Sequence, residues 1–169
     1  MTNKLSYTTF RTKLGWFGFC STEDALLRAC LPCKTQDQAN QYLLSRLENA
    51  KKAPMLNLPL QDKICSYFDG SKVHFTDVQV DLSGLTDFQQ QILRTLRTIS
   101  YGNKTTYADL AKTARRPKAV RAVGGVMAAN PLPLILPCHR VLRTDGKLGG
   151  FSAQGGTDMK QRMLELEKS

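Results

Sequence analysis

Residues 106–140 read TYADLAKTARRPKAVRAVGGVMAANPLPLILPCHR, and this stretch decides how the second half of the chain is organised. A short helix is expected from about Thr106, through Tyr107-Ala108-Asp109-Leu110-Ala111. It leads by way of Arg115-Arg116 to Pro117, a residue suited to a helix's first turn because its missing N–H would find no partner there. A second helix is expected from Pro117 to about Ala129, so two short helices flank a tight basic turn, which suggests helix-turn-helix. The second helix is rich in small residues: Ala119, Ala122, Gly124, Gly125, Ala128 and Ala129. Each interior Gly costs a helix about 1 kcal/mol relative to Ala, so something must approach that helix closely. One reading is packing on a neighbouring helix; the other is a smooth face pressed into a nucleic-acid groove. Arg115, Arg116, Lys118 and Arg121 nearby favour the groove.

The end of the stretch carries the chemistry. Asn130-Pro131-Leu132-Pro133-Leu134-Ile135-Leu136-Pro137 is an apolar run bounded by prolines, too short for a typical core helix, and it delivers Cys138-His139-Arg140. A cysteine at the end of a buried segment is commonly inert core. Thiolate is the nucleophilic form, however, and a nearby imidazole or cation favours it, so these neighbours make Cys138 a candidate nucleophile. The chain has only 2 histidines, which makes His139 beside Cys138 an unusual coincidence; His74 reads as structural.

Working outward, Thr86-Asp87-Phe88-Gln89 matches a capping box, and Phe88, Ile92, Leu93, Leu96 and Ile99 form one apolar helical face. A domain boundary is expected at residues 82–86, separating an N-terminal domain (1–83) from a C-terminal one (86–169). In the first, residues 5–31 read as an antiparallel strand meander. A helix follows from Thr35, with Ala39, Tyr42, Leu43 and Leu47 at helical spacing, and Lys51-Lys52-Ala53-Pro54 breaks it. Val73, Phe75, Val78, Val80 and Leu82 alternate imperfectly, as a strand would. The expected fold class is α/β plus mostly α: a small antiparallel sheet with helices, then a helix-turn-helix domain of winged-helix-like form.

Composition narrows the function classes. The 169 residues are 41% hydrophobic, enough to build real cores. There is no run approaching a membrane span and no signal-peptide core at the N-terminus, so a soluble, cytoplasmic or nuclear protein with no membrane partner is expected. Five cysteines at irregular spacing suggest reduced thiols. Cys30-Leu31-Pro32-Cys33 has metal-ligand spacing, with Cys20, Cys65 and His74 as conceivable partners, but one such pair is weak ground and no metal is assigned. Of the net charge of +10, nine units fall in residues 88–169. That asymmetry points to a polyanion, since Lys and Arg displace counterions from phosphates, or else to a solvated basic surface.

Pro137-Cys138-His139-Arg140, Asn130-Pro131 and Lys118-Ala119-Val120-Arg121-Ala122-Val123-Gly124-Gly125 together resemble the O6-alkylguanine-DNA alkyltransferases, or methylated-DNA–protein-cysteine methyltransferases. The resemblance covers roughly Thr86 to Lys168; residues 1–85 agree only in size and strand-then-helix character. It implies direct-reversal repair, in which an O6-alkylguanine leaves the duplex and its alkyl group passes irreversibly to Cys138, once per molecule. The partner implied is double-stranded DNA entered from the minor groove by a monomer, with cooperation along DNA left open and no cofactor.

The resemblance also assigns roles. Arg121 would fill the space of the extruded base, with Thr106, Lys118, Ala119, Ala122 and Gly124 on the DNA. Tyr107 would rotate the nucleotide and donate a proton toward the ring. His139 would act as base through a water, held by Glu167, while Asn130 braces the segment. Gly149, Phe151, Ser152, Pro133 and the backbone near Val141 would form the pocket. Two departures stand out: Phe151 replaces a common tyrosine, and the segment after Ser152 is about two residues longer than in some relatives, which leaves Glu165 as an alternative to Glu167. Rival classes are a lesion-binding protein without transfer, against which Cys138 argues, and a Cys-His hydrolase, for which no oxyanion-hole signal is present.

Overall fold

The computed structural model describes residues 4–151 and 153–168. The chain forms two compact units, Met1–Asp81 and Leu82–Ser169. In the first, β1 (Ser6–Thr12), β2 (Gly15–Ser21) and β3 (Leu26–Cys33) pair antiparallel, and β4 (Lys51–Lys52) joins parallel to β1, giving the order β3-β2-β1-β4. Thr35 caps α1 (Gln36–Leu44) by accepting from the Gln38 N–H at 3.2 Å. Ala39 and Leu43 then face the sheet, and β2 carries Gly18 where a Cβ would stand 2.6 Å from Leu43 Cδ1. The helix stops at Leu44, short of Leu47.

A second helix, α2 (Leu58–Phe68), was not legible in the pattern. Asn57 caps it and Pro59 occupies its first turn, while Tyr67 and Phe68 complete an aromatic core with Phe17. The strand expected at Val73–Leu82 does not form. Leu26 makes a single bridge to Val80, and a turn closed by Val78 N–H on Phe75 O interrupts the run, so imperfect alternation finds no continuous partner edge.

The second unit opens on α3 (Asp87–Leu96), capped reciprocally: Gln89 N–H donates to Thr86 Oγ1 at 3.2 Å and Thr86 N–H to Gln89 Oε1 at 3.0 Å. Ile92, Leu93 and Leu96 are its buried face, against which α4 (Tyr107–Thr113) and α5 (Val120–Ala128) pack. Thr106 caps α4 through Asp109 N–H. α5 begins three residues later than the proline suggested. Arg115, at φ 60, redirects the chain, and Pro117–Ala119 form a turn in which Ala119 N–H reaches Arg116 O. β5 (Thr105–Thr106), just before α4, pairs parallel with β6 (Val141–Leu142) from beyond α5, and α6 (Gly156–Leu166) closes the unit.

Candidate active site

Asn130 fixes the chain that presents the cysteine. Its side chain is buried and donates to Leu136 O at 2.9 Å, while its Oδ1 accepts from Leu132 N–H at 3.0 Å. These bonds clamp the 131–137 loop on itself. Leu132, Ile135 and Leu136 fill the interior, and Leu134 is held at φ 76, a conformation costly for a branched side chain. Cys138–Arg140 follow as one 3-10 turn. Successive side chains on such a turn lie about 120° apart, so neighbours in sequence face different ways.

Cys138 borders an open cleft, whereas His139 and Arg140 turn toward Glu167 at the end of α6. Glu167 Oε1 lies 2.7 Å from His139 Nε2, and the Arg140 guanidinium donates to both carboxylate oxygens at 2.8–3.3 Å and to Ile99 O at 2.7 Å. Burial would raise the Glu167 carboxyl, but hydrogen bonds and charge from His139 and Arg140 overcome it and hold the group well below the usual carboxylate range. Burial keeps His139 below its ordinary value despite that partner. A neutral imidazole beside a carboxylate carries its proton on Nε2, which leaves the lone pair on Nδ1. Glu165 is exposed and accepts instead from Gln161.

The cation that acts on Cys138 is Lys160, not Arg140. Lys160 is wholly buried, donates to Val141 O at 2.7 Å and to Leu148 O, and lies over the Tyr107 and Phe151 rings at 5.8 and 5.7 Å. Burial pulls its pKa down to about 8, against the opposing effect of Cys138. Burial pushes the Cys138 thiol up; a hydrogen bond from Asn130 and the Lys160 charge work in the other direction. At rest Cys138 is therefore a thiol, and a base would be needed to make it nucleophilic. Tyr107 is also pushed up, by burial and then by Cys138, so it stays protonated and can donate.

The cleft holds about 810 Å³, within the range of small-molecule sites. Tyr107, Cys138, Gly149 and Phe151 line it, with Arg121 and Gly124 of α5 at the same opening. Arg121, Ala122 and Lys118 are exposed and Ala119 half-buried. A Cβ at Gly124 or Gly125 would touch nothing within 4 Å, so close packing against another helix is not why these positions lack side chains. Gly149, at φ +72, has Tyr107 Oη 3.3 Å from its ideal Cβ, so the loop presses its backbone on the tyrosine. Pro133 is buried in the apolar loop, and Val141 is buried on β6 with its carbonyl accepting from Lys160. Ser152 lies outside the described residues. Met127, Arg143, Thr144 and Asp145 line the cleft without having been singled out from the sequence. Lys160 was missed as a site residue because its role depends on folding α6 under the cysteine.

Comparison with known proteins fits this geometry. Residues 87–169 match the family profile described as 6-O-methylguanine DNA methyltransferase, DNA binding domain. A methylated-DNA–protein-cysteine methyltransferase of Methanothermobacter thermautotrophicus is 37% identical over 124 residues, 73% of this chain and 68% of the relative. The chain belongs to the methylated-DNA–protein-cysteine methyltransferase family. Another member, from Haemophilus influenzae, is 46% identical over 60% of this chain and 55% of its own length. Likeness to the family's solved structures extends over both units: Mycobacterium tuberculosis OGT, crystallised in complex with DNA, superposes with a TM-score of 0.81 at 32% identity, covering 96% of this chain and 92% of that one. The expected α/β fold with a helical C-terminal domain is thereby shown.

Proposed function

We propose that this protein repairs alkylated DNA by direct reversal, moving the alkyl group of O6-alkylguanine onto its own Cys138. The observation that carries this reading is Cys138 on the wall of an open cleft, with the adjoining His139 held 2.7 Å from the Glu167 carboxylate. In the reaction, Cys138 Sγ attacks the carbon bonded to guanine O6. The S–C bond forms as the C–O bond breaks, and the thiol proton passes through a water to His139 Nδ1. Glu167 holds the imidazole and balances the imidazolium. Tyr107, protonated and on the cleft wall, donates toward the guanine ring as charge builds on the leaving base. The thioether has no easy route back to thiol, so each molecule acts once.

DNA would be engaged through α5 and its basic approaches. The bare helix face at Gly124 and Gly125 admits the minor groove, Arg121 takes the place of the extruded base, and Lys118 and the Thr106 end of α4 lie along the backbone. Ala119 and Ala122 keep that face shallow. The protein acts as a monomer on double-stranded DNA. Among the described residues no helix is long and apolar enough to cross a membrane. The titration that tests this reading mixes a fixed amount of protein with increasing duplex bearing a radiolabelled methyl on guanine O6. Protein-bound label should plateau at one equivalent per molecule. Continued turnover, or label lost to water, would refute self-acceptance and favour a hydrolase.

A further inference from the structure

The pair Cys30 and Cys33 takes no part in the chemistry above. Residues three apart on a regular strand point to opposite faces, because side chains alternate. In β3 they do not. The pairing with β2 slips, so that two steps from Trp16 to Gly18 are matched by three from Cys33 to Cys30. The extra residue is a β-bulge, a device that re-aims side chains, and Pro32, which has no N–H to give a ladder, stands within it. The two sulfurs come to 3.4 Å from each other, and the Leu31 carbonyl oxygen lies 3.4 and 3.5 Å from them. Cys30 is sealed under α1 beside Ala39 and Leu43, whereas Cys33 is 9% exposed.

We propose that Cys30 and Cys33 form a dithiol modification site that a small peroxide oxidises to an intramolecular disulfide. Cys33 Sγ attacks one peroxide oxygen, the O–O bond breaks, and Cys33 becomes a sulfenic acid as hydroxide departs. Cys30 Sγ then displaces the sulfenic oxygen and the S–S bond forms. The two thiol protons end in two waters, and the two electrons taken from the sulfurs reduce the peroxide. The sulfurs need approach by only about 1.3 Å to reach the roughly 2.05 Å of a disulfide. The order of events follows from the site. Cys33 is the sulfur open to solvent while Cys30 is sealed, and the contact between them lowers the Cys33 thiol against burial while that contact, then burial, raises Cys30. A metal-binding role has less support, since among the described residues no group of three or more His, Cys, Asp or Glu side chains is placed to hold an ion.

The test exposes the full chain to hydrogen peroxide, then denatures it, alkylates remaining thiols and maps the peptides. The expected result is loss of both labels from the peptide holding Cys30 and Cys33, a mass lower by two hydrogens, and recovery of both labels after dithiothreitol. In Cys30→Ser, Cys33 should stop as a sulfenic acid that dimedone traps; in Cys33→Ser, Cys30 should react at least tenfold more slowly than the wild-type pair. Full labelling of both thiols after peroxide, or Cys33 carried to sulfinic acid beside a free Cys30, would overturn the proposal. The wild-type map decides it even if either variant misfolds. Trp16, the only tryptophan, is the cross-strand partner of Cys33, so its fluorescence should shift on oxidation and return on reduction.

Discussion

Glu167→Gln tests the ion-pair cluster that holds His139, the base proposed for Cys138. The substitution keeps the shape of the side chain but removes the negative charge facing His139 and the buried Arg140 guanidinium. Breaking a buried pair by removing one partner costs about 3–5 kcal/mol. The lower end applies, because the glutamine oxygen can still accept one N–H and Arg140 keeps its bond to Ile99 O at 2.7 Å. A loss of about 3 kcal/mol in a unit of this size lowers Tm by roughly 12 °C or more. The pH dependence carries the sign. Glu167 is depressed in the folded protein and titrates near about 4.3 when unfolded, so its stabilisation is complete at neutral pH and fades as pH falls below about 4.3. Thermal melts followed by circular dichroism should show the gap between wild type and variant level from pH 8 to about 5, then narrowing. Glu165→Gln, on the exposed side of α6, should melt within about 1 °C of wild type. Methyl transfer by Glu167→Gln, measured in single turnover below its melting range, should slow by roughly 10–100-fold as His139 loses its orienting partner. A Glu167→Gln protein melting within 2 °C of wild type at pH 7 would refute the reasoning.

Three further outcomes are expected. Gly124→Ala with Gly125→Ala should raise stability by about 2 kcal/mol, about 1 for each position, since each Cβ meets open space and Ala is the better helix former, yet weaken duplex binding measured by anisotropy; unchanged affinity would argue against α5 entering the groove. Lys160→Met should slow transfer by roughly tenfold, about 1.4 kcal/mol. Because Lys160 titrates at about 8 folded and about 10.4 unfolded, the unfolded state holds more protons between those values, and wild-type stability relative to the variant should rise with pH across that window in denaturant melts. Arg121→Ala should reduce repair of duplex DNA by roughly tenfold or more while reaction with free O6-alkylguanine base changes little; equal losses on both substrates would contradict a role in holding the base outside the stack.

What could be read from the sequence was what local chemistry encodes. The capping box at Thr86, the basic turn before α5 and the run from Asn130 to Arg140 announce helix starts, a basic small-residue helix and a delivered cysteine within a few residues each. The partner of His139 was legible only through resemblance, since Glu167 lies 28 residues away. Arg140 as an activating cation followed from adjacency in sequence, and the 3-10 turn defeats it by sending consecutive side chains in different directions. Lys160 shows the converse: a surface-type residue becomes a buried ammonium because two backbone carbonyls and two rings receive it. α2 escaped notice since Pro59 falls in its first turn, two residues after the Asn57 cap, and its apolar residues mix helical with alternating spacing. The approach of Cys30 to Cys33 depends on a bulge, which is a property of strand pairing and leaves no periodic mark.

The central claim is that Cys138 is the acceptor. Intact-protein mass spectrometry after mixing the protein with a duplex containing one O6-methylguanine tests it most directly, with Cys138→Ser run alongside. The expected result is a stoichiometric gain of one methyl group, mapped to Cys138 and absent from the variant. Binding of the duplex with no gain in mass, or a methyl group found on any other residue, would contradict it.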